Sequence, residues 1–221
     1  MNKALSIKEI KRSKHLFPLK DSTFRNKDLI EGIKVILSKD VTMSKVTKKF
    51  EKTFSKTIKS PYSLMVNSGS SANLLAFQCL TNPYRKKKLK KGDEVIIPGY
   101  GYLAAANMAK LLNLRIVFAD VDPNSFCVTE KNIKKVITKK TKAIIITHTY
   151  GNMCEVDKIS RLAKKRKIIL IEDAAEALGS KFKSKFSGTI GDIGIYSFHA
   201  AKNITTGEGG AVLVQNKKLF E

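Results

Sequence analysis

Short apolar strands alternate with helix-length segments along most of this chain, and this alternation limits the fold more than any other feature. The apolar runs are rich in β-branched residues: "EVIIP", "RIVFA", "AIIIT", "IILIE", "DIGIYSF" and "GAVLV". Continuous apolar strands of this kind are buried on both faces of a sheet, whereas a half-exposed strand alternates apolar and polar residues. The order therefore predicts an α/β fold of three layers (α/β/α), with helices on both faces of a mainly parallel central sheet.

The segment before the first of these strands predicts helix. Leu29, Ile30 and Ile33 recur at helical spacing, and Val46, Phe50 and Phe54 continue the pattern at intervals of four. We therefore expect residues 26–59 to be helical. Residues 1–25 are expected to form an N-terminal arm.

Composition excludes several classes of protein. The chain has 221 residues, of which 43% are hydrophobic, so it can bury a sizeable core. No apolar run approaches the roughly 20 residues that a membrane span needs, and the N-terminus lacks the apolar segment of a signal peptide. We expect a cytoplasmic protein with no membrane partner. Cys79, Cys127 and Cys154 are odd in number and widely spaced, which favours free thiols over a disulfide framework or a metal site.

The charge is strongly positive, with a net value of +23. The basic residues come in short runs such as "RKKKLKK" and "KKRK", without interleaved aromatic residues or a known nucleic-acid motif. We therefore expect no nucleic-acid partner, although that alternative has a clear signature, the salt-sensitive retention of DNA or RNA. A basic surface also attracts phosphorylated metabolites.

Polar and small residues follow the strands, where ligands gather in folds of this kind. The first group is "NSGSSAN", Asn67 to Asn73, which leads from a strand into a helix. Small residues let the backbone approach a phosphate, the helix start supplies N–H donors, and the hydroxyls of Ser70 and Ser71 add more. An N-cap turn without a ligand is the alternative.

Two further residues suggest a cofactor. Asp173 ends the strand "IILIED", and a buried carboxylate there requires a partner, such as a protonated ring nitrogen or the start of the next helix. Lys202 lies between Ser197 and the cluster "TTGEGG", as a candidate Schiff-base nucleophile or an ordinary surface lysine. A phosphate cradle, an aspartate and a lysine are together the parts that pyridoxal 5'-phosphate requires.

At this point the sequence resembles a known family, the DegT/DnrJ/EryC1/StrS sugar aminotransferases, which have the fold type I architecture of pyridoxal phosphate enzymes. The matching segments run in register from about Pro18 to the end and include "VNSGSSANLLA", "GDEVIIPGYGYLAAAN", "LIEDAAEALGS" and "GDIGIYSFHAAKNITTGEGGAVL". The ordered set makes the resemblance specific.

The resemblance implies a role for each candidate residue. Lys202 is expected to bind the cofactor aldehyde and to move a proton between substrate and cofactor, and Asp173 to pair with the ring nitrogen. Ser70, Ser71 and Ser197 are expected to hold the phosphate. Tyr102 takes the place of an aromatic residue that stacks on the ring, and Glu176 stands where the family often has glutamine near the ring hydroxyl.

Three other positions have weaker implications. His199 and His148 are landmarks of the family, and we expect both to be structural, since an imidazole can bind the backbone and form turns. Gly101 departs from the family, which usually has a hydroxyl residue there. We expect the missing hydroxyl group to remove a potential hydrogen bond and loosen the site.

The implied reaction is transfer of an amine from glutamate to a nucleotide-linked keto-sugar, for surface polysaccharide synthesis, by a homodimer in which both chains contribute to each site. A related branch, the keto-sugar 3-dehydratases, has histidine at the lysine position, so Lys202 favours amine transfer. Family members are nearly twice as long as this chain. We therefore expect residues 26–221 to form the cofactor-binding large domain without the C-terminal small domain. The alternative is an inactive truncated or split-gene fragment that needs a partner chain.

Overall fold

A seven-stranded sheet forms the centre of the computed structural model, which describes residues 24–221. The strand order across the sheet is β1-β9-β8-β5-β4-β2-β3, and β6 pairs with β7 in a separate hairpin. Among these seven strands, β9 alone runs against the others. The predicted mainly parallel sheet is therefore confirmed. The strands are β1 Tyr62–Val66, β2 Glu94–Pro98, β3 Arg115–Ala119, β4 Thr141–Thr147, β5 Ile169–Asp173, β6 Lys181–Phe182, β7 Lys185–Phe186, β8 Ile193–Ser197 and β9 Gly210–Val214.

Helices cover both faces of this sheet, and alternate residues of β4 show the three layers. Ile145 belongs to a core cluster with residues of α3 and α4, whereas Ile144 and Ile146 belong to a cluster with residues of α5 and α6. Each of these isoleucines is at most 1% exposed, and full burial of such a side chain contributes about 1.5–3 kcal/mol. The helices are α1 Asn26–Leu37, α2 Lys45–Ile58, α3 Gly69–Thr81, α4 Ala104–Leu111, α5 Glu130–Val136, α6 Val156–Arg166 and α7 Lys217–Phe220, with a 3₁₀ turn at Thr149–Gly151.

The predicted N-terminal helix is present as two helices with a break between them. Residues 38–44 separate α1 from α2, and Lys39 in the break has a φ of 60°, in the left-handed region that interrupts a helix. Phe54 and Ile58 bury the apolar side of α2 against the sheet, whereas α1 has no buried residue. The predicted arm, residues 1–25, lies outside the described residues except for its last two.

The two edges of the sheet are distinct, because six strands run in one direction. We call the edge where these strands end the carboxyl edge and the edge where they begin the amino edge. The connections from the carboxyl edge are the loops 67–68, 99–103, 120–129, 148–155, 174–180 and 198–209. These loops bring residues that are far apart in sequence to one place.

Cys79, Cys127 and Cys154 are free, and the last two are buried. Residues 24–221 contain no group of three or more histidine, cysteine or acidic side chains placed to hold a metal ion. Across the same residues, none of the helices combines the length and the apolar character that crossing a bilayer would take.

Candidate active site

A cavity of about 650 Å³ opens at the carboxyl edge of the sheet. Residues from five loops line it, and six of the seven residues predicted from the sequence are among them: Ser70, Tyr102, Asp173, Glu176, Ser197 and Lys202. The seventh, Ser71, is not part of the lining. The topology therefore gathers nearly all of the predicted residues around one space.

The start of α3 forms one wall of the cavity. Ser68 caps the helix by accepting the N–H of Ser71 at 3.1 Å, and its hydroxyl also contacts the hydroxyl of Ser71 at 3.1 Å. A Cβ added at Gly69 would lie 2.9 Å from the Cβ of Ser197, so only glycine permits this approach. The helix start and the Ser197 hydroxyl together make a cradle of donors that suits a phosphate, because N–H groups and the helix dipole favour an anion there.

Asp173 is the last residue of β5 and lies on the floor of the cavity. Its side chain is 7% exposed, and one carboxylate oxygen accepts the N–H of Ala175 at 3.0 Å. Burial raises the pKa of this carboxyl, while the hydrogen bond from Ala175 and the nearby His148 and Lys202 oppose the rise. A protonated ring nitrogen beside Asp173 would relieve the cost of burying the carboxylate.

Lys202 faces a carboxylate across the same cavity. Its Nζ lies 3.4 Å from Oε1 of Glu176, and the lysine side chain is 24% exposed. The other oxygen of Glu176 accepts the backbone N–H of Tyr150 at 3.2 Å, which holds the carboxylate in place. Glu176 therefore keeps the amine of Lys202 close to Asp173 instead of letting it extend into solvent.

The loop that carries Lys202 is closed by backbone bonds at its base. The N–H of Phe198 donates to Gly209, and the carbonyl of Phe198 accepts the N–H of Thr206. Within the loop, Nδ1 of His199 accepts the N–H of Ala201 at 3.2 Å. His199 thus binds backbone, in agreement with the structural role expected for it, although it also lines the cavity.

A fully buried hydrogen-bond network centred on His148 and Glu172 supports the floor of the cavity. Nδ1 of His148 accepts the N–H of Cys154 at 3.2 Å, so Nε2 carries the proton that is shared with Glu172 at 2.8 Å. Glu172 also accepts the N–H groups of Gly188, Ile190 and Gly191 at 2.5–3.0 Å. This one carboxylate fixes the segment that leads into β8, and thereby the position of Ser197 and the Lys202 loop.

The backbone N–H of His148 extends this support to Asp173, whose carbonyl oxygen it bonds at 3.0 Å. His148 is 0% exposed and does not line the cavity. The structural role expected for His148 therefore agrees with its contacts. Sequence reasoning did not assign any role to its partner, Glu172.

Two aromatic features stand at the mouth of the cavity. Tyr102 lines it but is 77% exposed, so its stacking role stays a prediction. Tyr100 and Tyr150 share a hydrogen bond of 2.5 Å between their hydroxyls. Gly101, between Tyr100 and Tyr102, has a φ of 151°, a backbone conformation that residues with a side chain rarely adopt. The glycine is therefore required by the local backbone, a reason that the comparison with family residues did not reveal.

Asn73 is a further polar residue of the lining that sequence reasoning left without a role. It is 3% exposed, its amide nitrogen donates to the carbonyl of Gly69 at 3.2 Å, and its Oδ1 is buried without a hydrogen-bond partner among the described residues. Unsatisfied buried oxygens are uncommon in folded proteins. The free Oδ1 is therefore an acceptor available to a bound ligand.

Lys202 is distinctive in its electrostatic setting. The whole chain has 42 lysine and arginine residues, yet Lys202 is the one such residue within the six carboxyl-edge loops defined above. Charge alone does not distinguish it in the sequence. What distinguishes Lys202 is its position among loops that otherwise carry no lysine or arginine.

The parts present fit one cofactor. A lysine amine, a buried carboxylate and a phosphate cradle share one cavity at the carboxyl edge of an α/β sheet, which is the set that pyridoxal phosphate needs for its aldehyde, ring nitrogen and phosphate. The fold is that of pyridoxal phosphate enzymes of fold type I, and the site has the residues that would hold this cofactor.

Comparison with known proteins identifies the family. Residues 24–221 match the model of the DegT/DnrJ/EryC1/StrS aminotransferase family. The chain belongs to this family, whose members depend on pyridoxal phosphate. The resemblance found in the sequence is therefore confirmed.

Individual relatives represent two kinds of enzyme. The chain is 40% identical to GDP-perosamine synthase of Escherichia coli O157:H7 over 173 residues, which cover 78% of this chain and 46% of that protein. An E. coli GDP-4-keto-6-deoxy-D-mannose-3-dehydratase, solved with bound hydrated pyridoxal phosphate, matches at a TM-score of 0.88 and 35% identity, over 92% of this chain and 52% of the other.

An aminotransferase structure from Psychrobacter cryohalolentis matches at a TM-score of 0.84 and 32% identity, over 90% of this chain and 49% of that one. The chain spans about half the length of the curated relatives it matches.

Proposed function

We propose that this protein is a pyridoxal phosphate-dependent aminotransferase that converts a nucleotide-linked keto-sugar to an amino sugar, with glutamate as the amine donor. One observation carries the proposal: the amine of Lys202 shares a cavity with the buried carboxylate of Asp173 and the cradle at Gly69 and Ser197. Residues 26–221 would act as the cofactor-binding large domain. The reaction would take place in the cytoplasm and supply surface polysaccharide synthesis.

Each residue has a defined task in this reaction. Pyridoxal phosphate supplies an electron sink that stabilises negative charge on a carbon of the bound amine. Lys202 holds the cofactor aldehyde and, once released from it, carries a proton to or from that carbon. Asp173 keeps the ring nitrogen protonated, and Ser70, Ser71 and Ser197 orient the phosphate. Tyr102 is proposed to cover the ring.

Glu176 has two oxygens with separate tasks. Oε1 lies 3.4 Å from Nζ of Lys202, and Oε2 is fixed by the N–H of Tyr150. A carboxylate at this distance attracts the lysine nitrogen and restrains it within the cavity. We propose that Glu176 holds Lys202 near the reacting carbon while the lysine is detached from the cofactor.

A keto-sugar 3-dehydratase is the second candidate, because a protein of that name is among the matched structures at 35% identity. Lysine at position 202 favours amine transfer, since a lysine can hold the cofactor covalently between the half-reactions of that reaction and a histidine cannot form that bond. Amine transfer is therefore the function that the site supports best.

A homodimer is part of this proposal, and two observations support it. When Lys202 holds the cofactor, no lysine or arginine remains in the six carboxyl-edge loops to bind the diphosphate of a nucleotide sugar. A second copy that supplies cations to the mouth of the cavity would complete the site. In addition, α1 exposes Ile30, Ile33 and Leu37, which are 51–75% accessible, and contiguous apolar patches commonly mark interfaces.

The test is the visible absorbance of the purified protein with pyridoxal phosphate. The lysine-bound cofactor absorbs in the visible range, and we expect this band in the natural protein and in a control variant, Lys185→Ala, but not in Lys202→Ala. Glutamate is expected to remove the band as the cofactor takes up the amine.

Different failures contradict different parts of the proposal. A folded protein that forms no band contradicts cofactor binding by this chain alone. A band that forms but persists in glutamate contradicts amine transfer and leaves cofactor binding intact. Release of the 3-hydroxyl of a nucleotide-linked keto-sugar, without gain of an amine, would favour the dehydratase.

A further inference from the structure

The amino edge of the sheet carries a dense positive charge. Segment 85–91 has six basic residues among seven, segment 134–142 has five among nine, and segment 164–167 is basic throughout. Lys110 and Arg115 flank the start of β3 at the same edge. We call this set the amino-edge stripe. None of its three segments contains an aspartate or glutamate.

The three segments are neighbours in space as well as rich in charge. They precede β2, β4 and β5, and the order β5-β4-β2-β3 places these strands side by side. The N–H of Glu94 bonds the carbonyl of Lys140 at 3.1 Å, and the N–H of Gly92 bonds the carbonyl of Asn113 at 3.0 Å. With strands about 4.8 Å apart, the stripe extends roughly 14 Å across four strands.

The charges of the stripe are largely available to a partner. Its basic side chains are exposed except those of Arg85 and Lys88, which are half-buried. Within the described residues, only Arg115 and Lys134 of this set form ion pairs with a carboxylate, at 3.7 and 2.9 Å. Like charges this close repel one another and destabilise the folded state, and a polyanion would neutralise them.

Helix dipoles explain only part of the stripe. Lys134 and Lys135 lie in the last turn of α5, where a cation is favourable, and the basic residues at 164–166 hold the same place in α6. The dipole effect falls off within one turn, however, and segment 85–91 begins beyond the end of α3 at Thr81. A general need for solubility does not explain the stripe either, because it would not leave the carboxyl-edge loops with Lys202 as their one lysine or arginine.

We propose that the amino-edge stripe binds the surface of a bilayer that carries anionic lipid headgroups. Lysine predominates over arginine in the stripe, and lysine acts as a point charge without the planar fork that reads phosphates or bases individually. The three segments contain no aromatic residue on which a base could stack. Tyr84 and Leu111, beside the stripe, are 94% and 64% exposed and provide an aromatic and an aliphatic anchor for the interface.

The proposed orientation leaves the active site open. The cavity is at the carboxyl edge and the stripe at the amino edge of the same strands. A five-residue strand such as β2 separates the two edges by about 16 Å. The inference does not rest on the proposed reaction. It also goes beyond the sequence-based expectation of no membrane partner, which considered only spanning segments and not a charged surface.

Co-sedimentation with vesicles tests the proposal on the full chain. We compare vesicles of phosphatidylglycerol mixed with phosphatidylcholine against phosphatidylcholine alone. The stripe variant reverses one charge in each segment and combines Lys87→Glu, Lys139→Glu and Lys165→Glu. The control variant changes the net charge equally at exposed lysines outside the stripe and combines Lys45→Glu, Lys49→Glu and Lys185→Glu.

We expect the natural protein and the control variant to bind the anionic vesicles. The stripe variant is expected to bind at least about tenfold more weakly, since each basic residue near an anionic surface contributes to retention, and binding should fall with salt. Circular dichroism establishes that each variant is folded. Equal binding to both kinds of vesicle, or equal loss in the two variants, would overturn the proposal. Tighter retention by duplex DNA than by anionic vesicles at equal phosphate concentration would overturn it in favour of a nucleic-acid partner.

Discussion

The carboxyl and amino edges of the central sheet differ in how they use charge. At the carboxyl edge, single charges have specific partners: Glu172 and Asp173 are buried, and the partly exposed Lys202 pairs with Glu176. At the amino edge, many charges of one sign are exposed and few are paired. Removing a partner from a buried charge at the carboxyl edge has a large cost in free energy, whereas water screens the exposed charges at the amino edge. Single substitutions should therefore have large effects at one edge and small effects at the other.

The largest effect on stability is expected at Glu172. Glu172→Ala removes the acceptor of three backbone N–H groups and of the His148 ring, leaving three buried donors and one partly buried donor without a partner. We expect a loss of about 3–5 kcal/mol in the free energy of unfolding, measured by urea denaturation.

Glu31→Ala is the matched control, because Glu31 forms an exposed ion pair with Lys34. Such a pair contributes at most about 1 kcal/mol. Glu172→Gln keeps the shape of the side chain and should fall between the two. Equal losses at Glu172 and Glu31 would show that the buried network does not support the carboxyl edge.

The largest effect on turnover, apart from Lys202, is expected at Asp173. Asp173→Asn retains the acceptor for the N–H of Ala175 but loses the negative charge that we propose pairs with the ring nitrogen. We expect kcat to fall about 10²–10³-fold, the usual cost of removing one electrostatic contact in an active site. Unchanged kcat in a fully loaded variant would contradict the role of Asp173.

The same variant makes a prediction about pH for the protein without cofactor. Burial raises the folded-state pKa of Asp173 above its unfolded value of about 4. The stabilising contribution of the protonated carboxyl is therefore complete below the unfolded pKa and is lost as the pH rises through the folded pKa. Relative to Asp173→Asn, the natural protein should lose unfolding free energy over that pH range, as urea denaturation at a series of pH values can measure.

A smaller effect is expected at the phosphate cradle. Gly69→Ala places a Cβ 2.9 Å from the Cβ of Ser197, which pushes the helix start away from the hydroxyl. We expect the Kd for pyridoxal phosphate to rise about tenfold, equivalent to about 1.4 kcal/mol. Gly32→Ala in α1 is the control, since a Cβ there meets nothing within 4 Å. A cofactor titration that gives one Kd for all three proteins would argue against the cradle.

The smallest effect on catalysis is expected at the amino edge. Replacing Lys87, Lys139 and Lys165 together by glutamine should leave kcat within about twofold and change stability by no more than about 0.5 kcal/mol per site, as is usual for exposed positions. Steady-state turnover and urea denaturation measure both quantities. A tenfold loss of kcat would mean that the two edges are not independent.

The sheet was predictable because its strands are apolar on both faces. Ile144, Ile145 and Ile146 are buried against helices on alternate sides, and such runs leave little choice of structure. The direction of each strand and the exact ends of the helices were harder to predict. The antiparallel β9 and the break at residues 38–44 depend on packing and backbone geometry that no local pattern revealed.

The site was predictable where the chemistry requires particular residues, as at Lys202 and Asp173. The sequence predicted a role for Asp173 but none for the adjacent Glu172. A carboxylate inside an apolar strand can be recognised as buried, but the partners of Glu172 come from distant loops that the sequence does not reveal. Ser71 was placed in the phosphate cradle from the motif alone, and its amide is instead satisfied by Ser68. Its role in the cradle stays a prediction.

The contrast between the edges was present in the sequence as well. Once strands and helices are assigned, most segments between residues 62 and 209 can be allotted to one edge of the sheet; the β6–β7 hairpin, with Lys181, Lys183 and Lys185, belongs to a connection that runs from one edge to the other. Counting lysine and arginine residues in the carboxyl-edge loops then singles out Lys202 without reference to a motif.

Reductive trapping is the most direct test of the central claim, that one lysine of this lysine-rich chain binds the cofactor. The protein is incubated with pyridoxal phosphate, treated with borohydride to make the link permanent, and digested for mass spectrometry. We predict a stoichiometric label on the peptide that contains Lys202, at cofactor concentrations where the amino-edge segments stay unlabelled. Label spread over the amino-edge lysines, with none at Lys202, would contradict the account.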